Sequence, residues 1–456
     1  MKNPHELGSE KVWRLLLRFS VPAIVGMLVQ ALYNVVDRIF IGQGVGMLGI
    51  AGITVSFPVM LVIMAVGMLI GIGATSLVSI RLGEQKSKEA GEIASHAFVL
   101  LVLTAIGLSV LGLVFLQPLL RIMGASEAIL PYASDYLGII LWGTVFSSIG
   151  FGMNNVIRAE GQPKISMITM LIGALLNIAL DPLFIFVFGW GIRGAAAATV
   201  ISQFVSAAWV MWFYISGRSA LKFRLIGFPW DWNVVRSIAV IGFAPFAMQI
   251  AASLLNVLLN NSLLAYGGDV AISGMGVLHS VLMLILMPVF GINQGVQPII
   301  GYNYGAKKYE RSREAVYLGC AAATVIVLLG YFSTRLFPEQ IIMLFNRDDP
   351  ELLAFSVRAL RIFLFFLPLV GYQIVGASYF QAVGKAKQAM LLSLSRQVLI
   401  LLPLILILPR FFGLDGILMA GPIADVSSAT LTTILLAREW KEHHRLTLLE
   451  PQTVQA

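Results

Sequence analysis

Charged residues and cysteine are scarce in this chain. Asp, Glu, Lys and Arg make up 12% of its 456 residues, and Cys320 is the one cysteine. A soluble globular chain carries about 25% charged residues, so the composition excludes that class. A single thiol also excludes disulfides within the chain and metal sites built from several cysteines.

The sequence also lacks the common motifs of nucleotide-binding and hydrolytic proteins. It contains no G-x-x-x-x-G-K-[ST] phosphate loop, no H-E-x-x-H and no G-x-S-x-G. We therefore expect no enzyme, no cofactor and no structural metal, and any uphill transport would have to use an ion gradient. The net charge is +8, but the basic residues lie in loops rather than on one face, so no nucleic-acid partner is expected.

Long apolar runs are what the chain has in abundance. Hydrophobic residues make up 58% of it, in runs of roughly 20 or more that are typical of helices spanning a lipid bilayer. The sequence predicts an all-α polytopic membrane protein with twelve transmembrane helices. The predicted spans are residues 16–41, 51–79, 94–117, 132–157, 165–188, 192–216, 238–266, 274–302, 315–337, 354–380, 388–409 and 414–437.

The distribution of Lys and Arg predicts the orientation. With the N-terminus inside, 23 of these residues, Arg396 among them, fall on the cytoplasmic side and 8 on the other side. Because Lys and Arg are retained in the cytoplasm, both termini are predicted to lie there. The first apolar run is too long for a signal peptide, so we expect the first helix to stay in the mature protein. The predicted location is the bacterial cytoplasmic (inner) membrane.

The chain repeats itself with a period of about 222 residues. Ala159–Lys164 matches Ala382–Lys387, and Gly191–Gly194 matches Gly413–Gly416. Six spans per repeat give both halves the same orientation, so they are related by a pseudo-twofold axis along the membrane normal. The sequence predicts a six-helix lobe over 1–216, a cytoplasmic linker over 217–237, a second six-helix lobe over 238–437 and a cytoplasmic tail over 438–456. Two lobes suit alternating access in a monomer, although duplication could also merely enlarge a bundle.

Asp181 is an isolated acid within an apolar helix. Residues 165–190 contain no other charged residue, and a charge at that depth is costly and usually functional. Asn177 precedes it by four residues and shares its face, while Pro182 leaves the carbonyl of Ile178 without its usual donor. Carboxylate, amide and carbonyl make a candidate site for a proton or small cation. The alternative is a buried Asp that only hydrogen-bonds neighbouring helices.

Asp37 and Thr199 match Asp181 in depth. Asp37 lies near the outer end of the first span, Asp181 in the outer third of the fifth and Thr199 in the first two turns of the sixth. The three are therefore predicted to share a site in the outer half of the first lobe. For Asp37, the alternative is an interfacial ion pair with Arg38.

Asp425 is the acid at mid-membrane in the second lobe, at a position where the first lobe has Gln203. It is a candidate for substrate binding or coupling. A hydrogen-bonded packing role explains it equally well.

Several motifs, taken together and in order, resemble the multidrug and toxic compound extrusion (MATE) family, and within it the bacterial MepA-like branch. The resemblance covers nearly the whole chain. Its motifs are Leu32–Arg38, Arg158–Gly161, Asn177–Pro182, Gly194–Thr199 and Gly421–Asp425.

This resemblance implies a V-shaped pair of helical bundles that exports cationic or amphipathic drugs in exchange for H⁺ or Na⁺ by alternating access. The implied cation or proton site consists of Asp37, Asn177, Asp181 and Thr199, supported by Tyr33, Tyr136, Asn154 and a bend at Pro22. Asn154 fits less well, because the predicted spans place it nearer the cytoplasm than Asp181.

The chain departs from some sodium-coupled relatives, which carry acids on spans 7 and 10. Here the matching regions hold Gln249 and, on span 10, Tyr372 and Gln373. Coupling is therefore expected in the first lobe, and a polar site with Asp425 and Gln249 in the second stays an alternative. The runner-up function is a flippase for lipid-linked precursors, which shares this architecture. Flippases tend to need basic residues in the cleft, whereas the acids seen here favour cationic cargo.

Overall fold

The computed structural model describes residues 4–221, 223–224, 227, 229–345 and 350–453. Lys2, Lys222 and Arg347 of the charge count, the side chain of Arg445 and the last three residues of the predicted tail lie outside the described residues.

Twelve membrane-spanning segments organise the described chain. Eleven helices are long and apolar enough to cross a bilayer, and a bent pair forms a twelfth span. In chain order they are α1 (Val12–Gly44), α2 (Met47–Gly83), α3 (Ser87–Val114), α4 (Leu130–Ala159), α5 (Pro163–Val187), α6 (Gly191–Ile215), α7 (Trp232–Gly268), α8 (Val270–Gly305), α9 (Tyr309–Leu336), α10 (Pro350–Phe363 with Leu367–Ala382), α11 (Ala386–Phe412) and α12 (Leu414–Glu442). The predicted twelve-helix fold is confirmed, with α1–α6 as the first lobe and α7–α12 as the second.

The tenth span differs from the single helix predicted over 354–380. Its two parts meet at an angle of 52°. Pro368, at the start of the second part, cannot donate an amide hydrogen to the carbonyl of Leu364, so the helix ends before it. The sequence contained this signal, and the prediction passed over it.

The internal repeat is visible in the backbone. Residues with positive φ recur 222 or 223 positions apart, as in the pairs Gly46 and Gly268, Gln85 and Lys307, Gly161 and Gly384, and Gly191 and Gly413. Gln85 and Lys307 are the two non-glycine residues among them. A left-handed backbone conformation is unfavourable for residues with such side chains. Its recurrence at the same turn of both lobes shows that the geometry of this turn requires a positive φ.

The lobes pack against each other at one end of the bundle. We call it the terminal end, because α1 begins and α12 ends there. Glycines let α2 and α8 cross the other lobe closely: a Cβ on Gly73 would lie 2.2 Å from the Ile238 carbonyl oxygen, and one on Gly295 would lie 2.8 Å from the Ser20 amide nitrogen. Every such glycine contact between the described parts of the two lobes lies in the terminal half. The lobes therefore diverge toward the far end, as in a V.

Exposed amides mark the walls of the opening. Gln249, Ser253, Asn256 and Asn260 share one face of α7, and the last two are exposed, as is Asn34 on α1. Polar groups at membrane depth face water-filled cavities rather than lipid. The cleft between the lobes is therefore lined by uncharged polar groups on its second-lobe side.

A short segment before α1 bridges the lobes at the terminal end. Leu7 is fully buried, and its carbonyl oxygen accepts hydrogen bonds from Asn303 Nδ2 at 3.1 Å and Arg311 Nη2 at 3.3 Å. The carbonyl oxygen of Gly8 accepts from Lys308 Nζ at 2.8 Å. The N-terminal segment thus ties the first lobe to the ends of α8 and α9.

Candidate cation-binding site

Asn177 and Asp181 lie near the far end of α5, on a face turned toward the lobe interior. They are 2% and 0% exposed, as their four-residue spacing allows. The α-helix ends at Pro182, and Leu183–Val187 continues as a π-helical turn. The missing amide hydrogen of Pro182 explains this change, since the regular bond to Ile178 cannot form.

The amide of Asn177 connects α5 to α6. With the amide oriented to satisfy both neighbours, its nitrogen donates to Asp181 Oδ2 at 2.9 Å, and its oxygen accepts from Thr199 Oγ1 at 3.2 Å. Thr199 is 4% exposed. The predicted grouping of Asn177, Asp181 and Thr199 is therefore present in the structure.

Asp37 joins this group from α1. It is 8% exposed, and its side chain lies within hydrogen-bonding reach of Asp181. Its Oδ1 is buried without a partner among the described residues, whereas Arg38 is exposed. Two carboxylates this close repel unless a proton or cation lies between them. The structure therefore favours the shared site over an interfacial pair of Asp37 with Arg38.

Two tyrosines complete the surroundings. Tyr33 on α1 and the buried Tyr136 on α4 both lie close enough to Asp37 and Asp181 to interact with them electrostatically. Each supplies a hydroxyl group beside the carboxylates. Four helices, α1, α4, α5 and α6, thus contribute side chains to one buried polar cluster.

The structure does not bring Asn154 or Pro22 to this cluster. Asn154 follows Tyr136 by 18 residues on the same helix, or about 27 Å at 1.5 Å per residue. Pro22 precedes Asp37 by 15 residues within α1, about 22 Å. Asn154 is buried with an unpartnered Oδ1. Neither residue contacts the site, so any effect of Asn154 or Pro22 on it is indirect.

The donor set suits a proton or a small hard cation. Carboxylate, amide and hydroxyl oxygens are the groups that hard cations prefer. Within the part of the chain that the structure describes, no three His, Cys, Asp or Glu residues are grouped as ligands for a transition metal.

The corresponding positions of the second lobe are apolar. Residues 222 positions after Asn177, Asp181 and Thr199 are Leu399, Pro403 and Gly421. Around them Leu401, Ile405, Ala420 and Ala424 form a buried hydrophobic cluster. Duplication therefore preserved the helices, whereas the matching positions among the described residues of the second lobe lack this polar cluster.

Asp425 is paired rather than free. Arg396 Nε donates to its Oδ1 at 2.7 Å, and Asp425 is 4% exposed. Counting Arg396 with the cytoplasmic residues was wrong, because it lies ten residues into α11. The signal was available as one arginine inside an apolar run. Gln249 lies on the cleft-facing side of α7, and no hydrogen bond joins it to Asp425 among the described residues.

The amino-acid sequence is similar to a family model and to known transport proteins. The MatE family model matches residues 22–183 and 245–407, one segment in each lobe. The chain is 26% identical over 425 residues to a multidrug export protein MepA of Staphylococcus haemolyticus, with 93% of each chain covered. It is 28% identical over 443 residues to an FAD transporter of Shewanella oneidensis, covering 93% of this chain and 94% of that one.

A solved structure is similar throughout. It is described as the MATE multidrug transporter DinF-BH in complex with a bound compound, and it is 41% identical with a TM-score of 0.88. The alignment covers 94% of this chain and 96% of that one. The similarity therefore extends over both lobes.

Proposed function

The chain belongs to the MatE family of membrane transporters, and we propose that it is a secondary active antiporter that exports cationic or amphipathic compounds in exchange for H⁺ or Na⁺. As a member of that family it is a transporter and not an enzyme. Similarity to the MepA and DinF-BH proteins supports multidrug export as its activity. The observation that carries the coupling proposal is the Asp37–Asp181 pair, buried in a lobe whose counterpart has apolar residues.

The orientation proposed from the charge count makes the terminal end cytoplasmic and the far end external. The close lobe contacts then seal the cytoplasmic side, and the cleft opens outward. We propose that the chain acts as a monomer in the bacterial inner membrane, with lobes 1–216 and 238–437 joined by the linker 217–237.

The coupling step uses the carboxylate pair. An external proton, or a sodium ion with Asn177 and Thr199 as further ligands, binds between Asp37 and Asp181. This neutralises the polar cluster and removes its attraction for a cationic compound, which leaves through the open cleft. Bending of α1 near Pro22 transmits the change to the lobe contacts around Ser20. Because the two carboxylates interact, they titrate as a pair.

Asp181→Asn tests the proposal in proteoliposomes. We expect drug-driven proton or sodium movement to fall about tenfold or more, as loss of about 1.4 kcal/mol of ion-binding free energy would produce. Glu127→Gln is the matched control, since Glu127 is an exposed acid paired with Arg121 at the far end. Folded Asp181→Asn protein that exchanges like the wild type would contradict the proposal. Imposing a proton gradient alone and then a sodium gradient alone identifies the ion.

A lipid-linked precursor flippase is the second candidate, and Arg396 is the observation that favours it. This guanidinium is a basic group at membrane depth, of the kind that could hold a phosphate. The first lobe, however, carries two buried acids, Asp37 and Asp181, which favour cationic cargo. Ethidium accumulation in cells with and without the protein separates the two functions: an exporter lowers it, and a flippase leaves it unchanged.

A further inference from the structure

Arg396 is held in one orientation by the opposite span of its own lobe. Its Nε lies 2.7 Å from Asp425 Oδ1. Ser395 beside it contacts Ser428, with their hydroxyl oxygens 3.3 Å apart. Asp425 thus acts as a positioning residue on α12 that fixes the plane of a guanidinium on α11.

The outer end of that guanidinium is available. Only Nε is used in the ion pair, and neither Nη1 nor Nη2 has a hydrogen-bond partner among the described residues. The Arg396 side chain remains 21% exposed, against 4% for Asp425. An arginine carries up to four N–H groups on these two nitrogens, in a fork that matches a carboxylate.

The internal repeat shows which way Arg396 faces. Gly173 lies against Ser206 in the first lobe as Ser395 lies against Ser428 in the second, which aligns Arg396 with Ala174. Ala174 precedes Asn177 by three residues and Asp181 by seven, so it shares their helical face. Arg396 therefore occupies the second-lobe counterpart of the face that carries the cation site.

The depth of Arg396 leaves one environment for its exposed part. It lies ten residues from the start of α11, about 15 Å along the helix and hence near mid-membrane. A guanidinium exposed to lipid at that depth is strongly disfavoured, so charged groups there face a water-filled cavity. Leu255 and Leu259 of α7 pack against Leu401 and Ile405 of α11, and Asn256 and Asn260 next to them are exposed. We therefore assign that cavity to the cleft beside α7.

We propose that Arg396 binds the anionic group of the cargo, above all a carboxylate, through its two Nη nitrogens. The cleft then offers acids in the first lobe and a guanidinium in the second. Its preferred cargo includes zwitterionic amphipathic compounds that carry an amine and a carboxylate. This inference rests on the proposed export function and names a second group that recognises cargo.

Two dyes that differ by one ester test it. Rhodamine 6G is a cation, and its hydrolysed free acid is a zwitterion of nearly the same shape. In proteoliposomes, Arg396→Gln is expected to lower transport of the free acid about tenfold, the effect of losing one charge-assisted contact. Transport of rhodamine 6G should stay within about twofold of the wild type. Arg410→Gln, at the exposed end of the same span, should change neither.

A double variant separates recognition from folding. Arg396→Gln leaves Asp425 unpaired, which by itself can destabilise the lobe. Arg396→Met with Asp425→Leu removes both charges, a replacement that buried ion pairs often tolerate. We expect this variant to export rhodamine 6G and to lose the free acid selectively.

The outcomes distinguish the inference from the function beneath it. Wild-type protein that exports neither dye contradicts the proposed function. Export of rhodamine 6G without the free acid, or an equal loss of both dyes in both variants, overturns the inference alone. Inhibition by farnesyl pyrophosphate that depends on Arg396, without any selectivity between the dyes, would assign the guanidinium to a phosphorylated lipid and overturn it as well.

Discussion

Glu160 is a buried carboxyl group outside the spans, in the turn between α4 and α5. It is 1% exposed, and its Oε2 accepts hydrogen bonds from Ser219 Oγ at 2.7 Å and the Ala220 amide at 3.0 Å. Burial raises the pKa of Glu160 to about 7, although these hydrogen bonds act in the opposite direction. The residue links the end of α4 to the segment that joins the lobes.

This raised pKa predicts a pH-dependent stability. In the folded protein Glu160 stays protonated up to about pH 7, whereas the ordinary pKa of a glutamate side chain is 4.5. Stability should therefore fall as pH rises through this window, by on the order of 3 kcal/mol at most. The measurement is the melting temperature of purified protein from pH 5 to 8. Glu160→Gln should flatten the dependence, and equal slopes for both proteins would refute this origin.

At the scale of elements, close helix crossings hold the lobes together, among them one at Gly242 and one at Gly291 and Gly295. Gly242 on α7 allows the backbone of α2 to pass, since a Cβ there would lie 1.7 Å from the Leu69 carbonyl oxygen. Gly291 and Gly295 on α8 do the same for α1 at Ile24 and Ser20. Each of these contacts includes backbone atoms, which cannot move aside as a flexible side chain can. Closure at the terminal end thus depends on glycines, whose lack of a side chain lets the helices approach each other.

Gly242→Ala is expected to force α2 and α7 apart and to destabilise the closed end. Overpacking of this kind costs about 1–3 kcal/mol, which should appear as a lower melting temperature in detergent. Gly107→Ala on α3 is the control, because its Cβ would meet nothing within 4 Å and helical alanine is favoured over glycine. A Gly242→Ala protein as stable as Gly107→Ala would contradict the crossing.

At the scale of the whole molecule, one end is sealed and the other open. The sealed end is also held by the N-terminal segment, where Arg311 Nε donates to Asn303 Oδ1 at 3.0 Å while Nη2 reaches the Leu7 carbonyl. Opening this end for uptake has to break these bonds and separate the glycine crossings. The far end has no such glycine contacts between the described lobes.

Cysteine labelling tests both the orientation and the open end. In a Cys320→Ser background, we expect Asn256→Cys to react with a membrane-impermeant maleimide added to intact cells. Asn256 is exposed on the α7 face of the cleft, and Lys88 is exposed at the terminal end. Lys88→Cys should react only after the cells are opened. Reaction of Lys88→Cys in intact cells would reverse the proposed topology.

The sequence by itself determined the class of protein, the twelve spans and the duplication. The reason is that spanning the hydrocarbon core requires long apolar helices, and that an isolated charge within it costs free energy. The same cost identified Asp181 and, by depth, Asp37 and Thr199. Tertiary structure alone decided which side chains meet across helices. In the folded chain Asp37 faces Asp181 rather than Arg38, and Asn154 lies far from both carboxylates. Tertiary structure also paired Asp425 with Arg396, a residue that charge counting had assigned to the cytoplasm. The position of a residue along a predicted span gives its depth in the membrane. The rotation of each helix about its own axis, which decides whether a side chain faces a partner, lipid or the cleft, is set only by the packing of the helices.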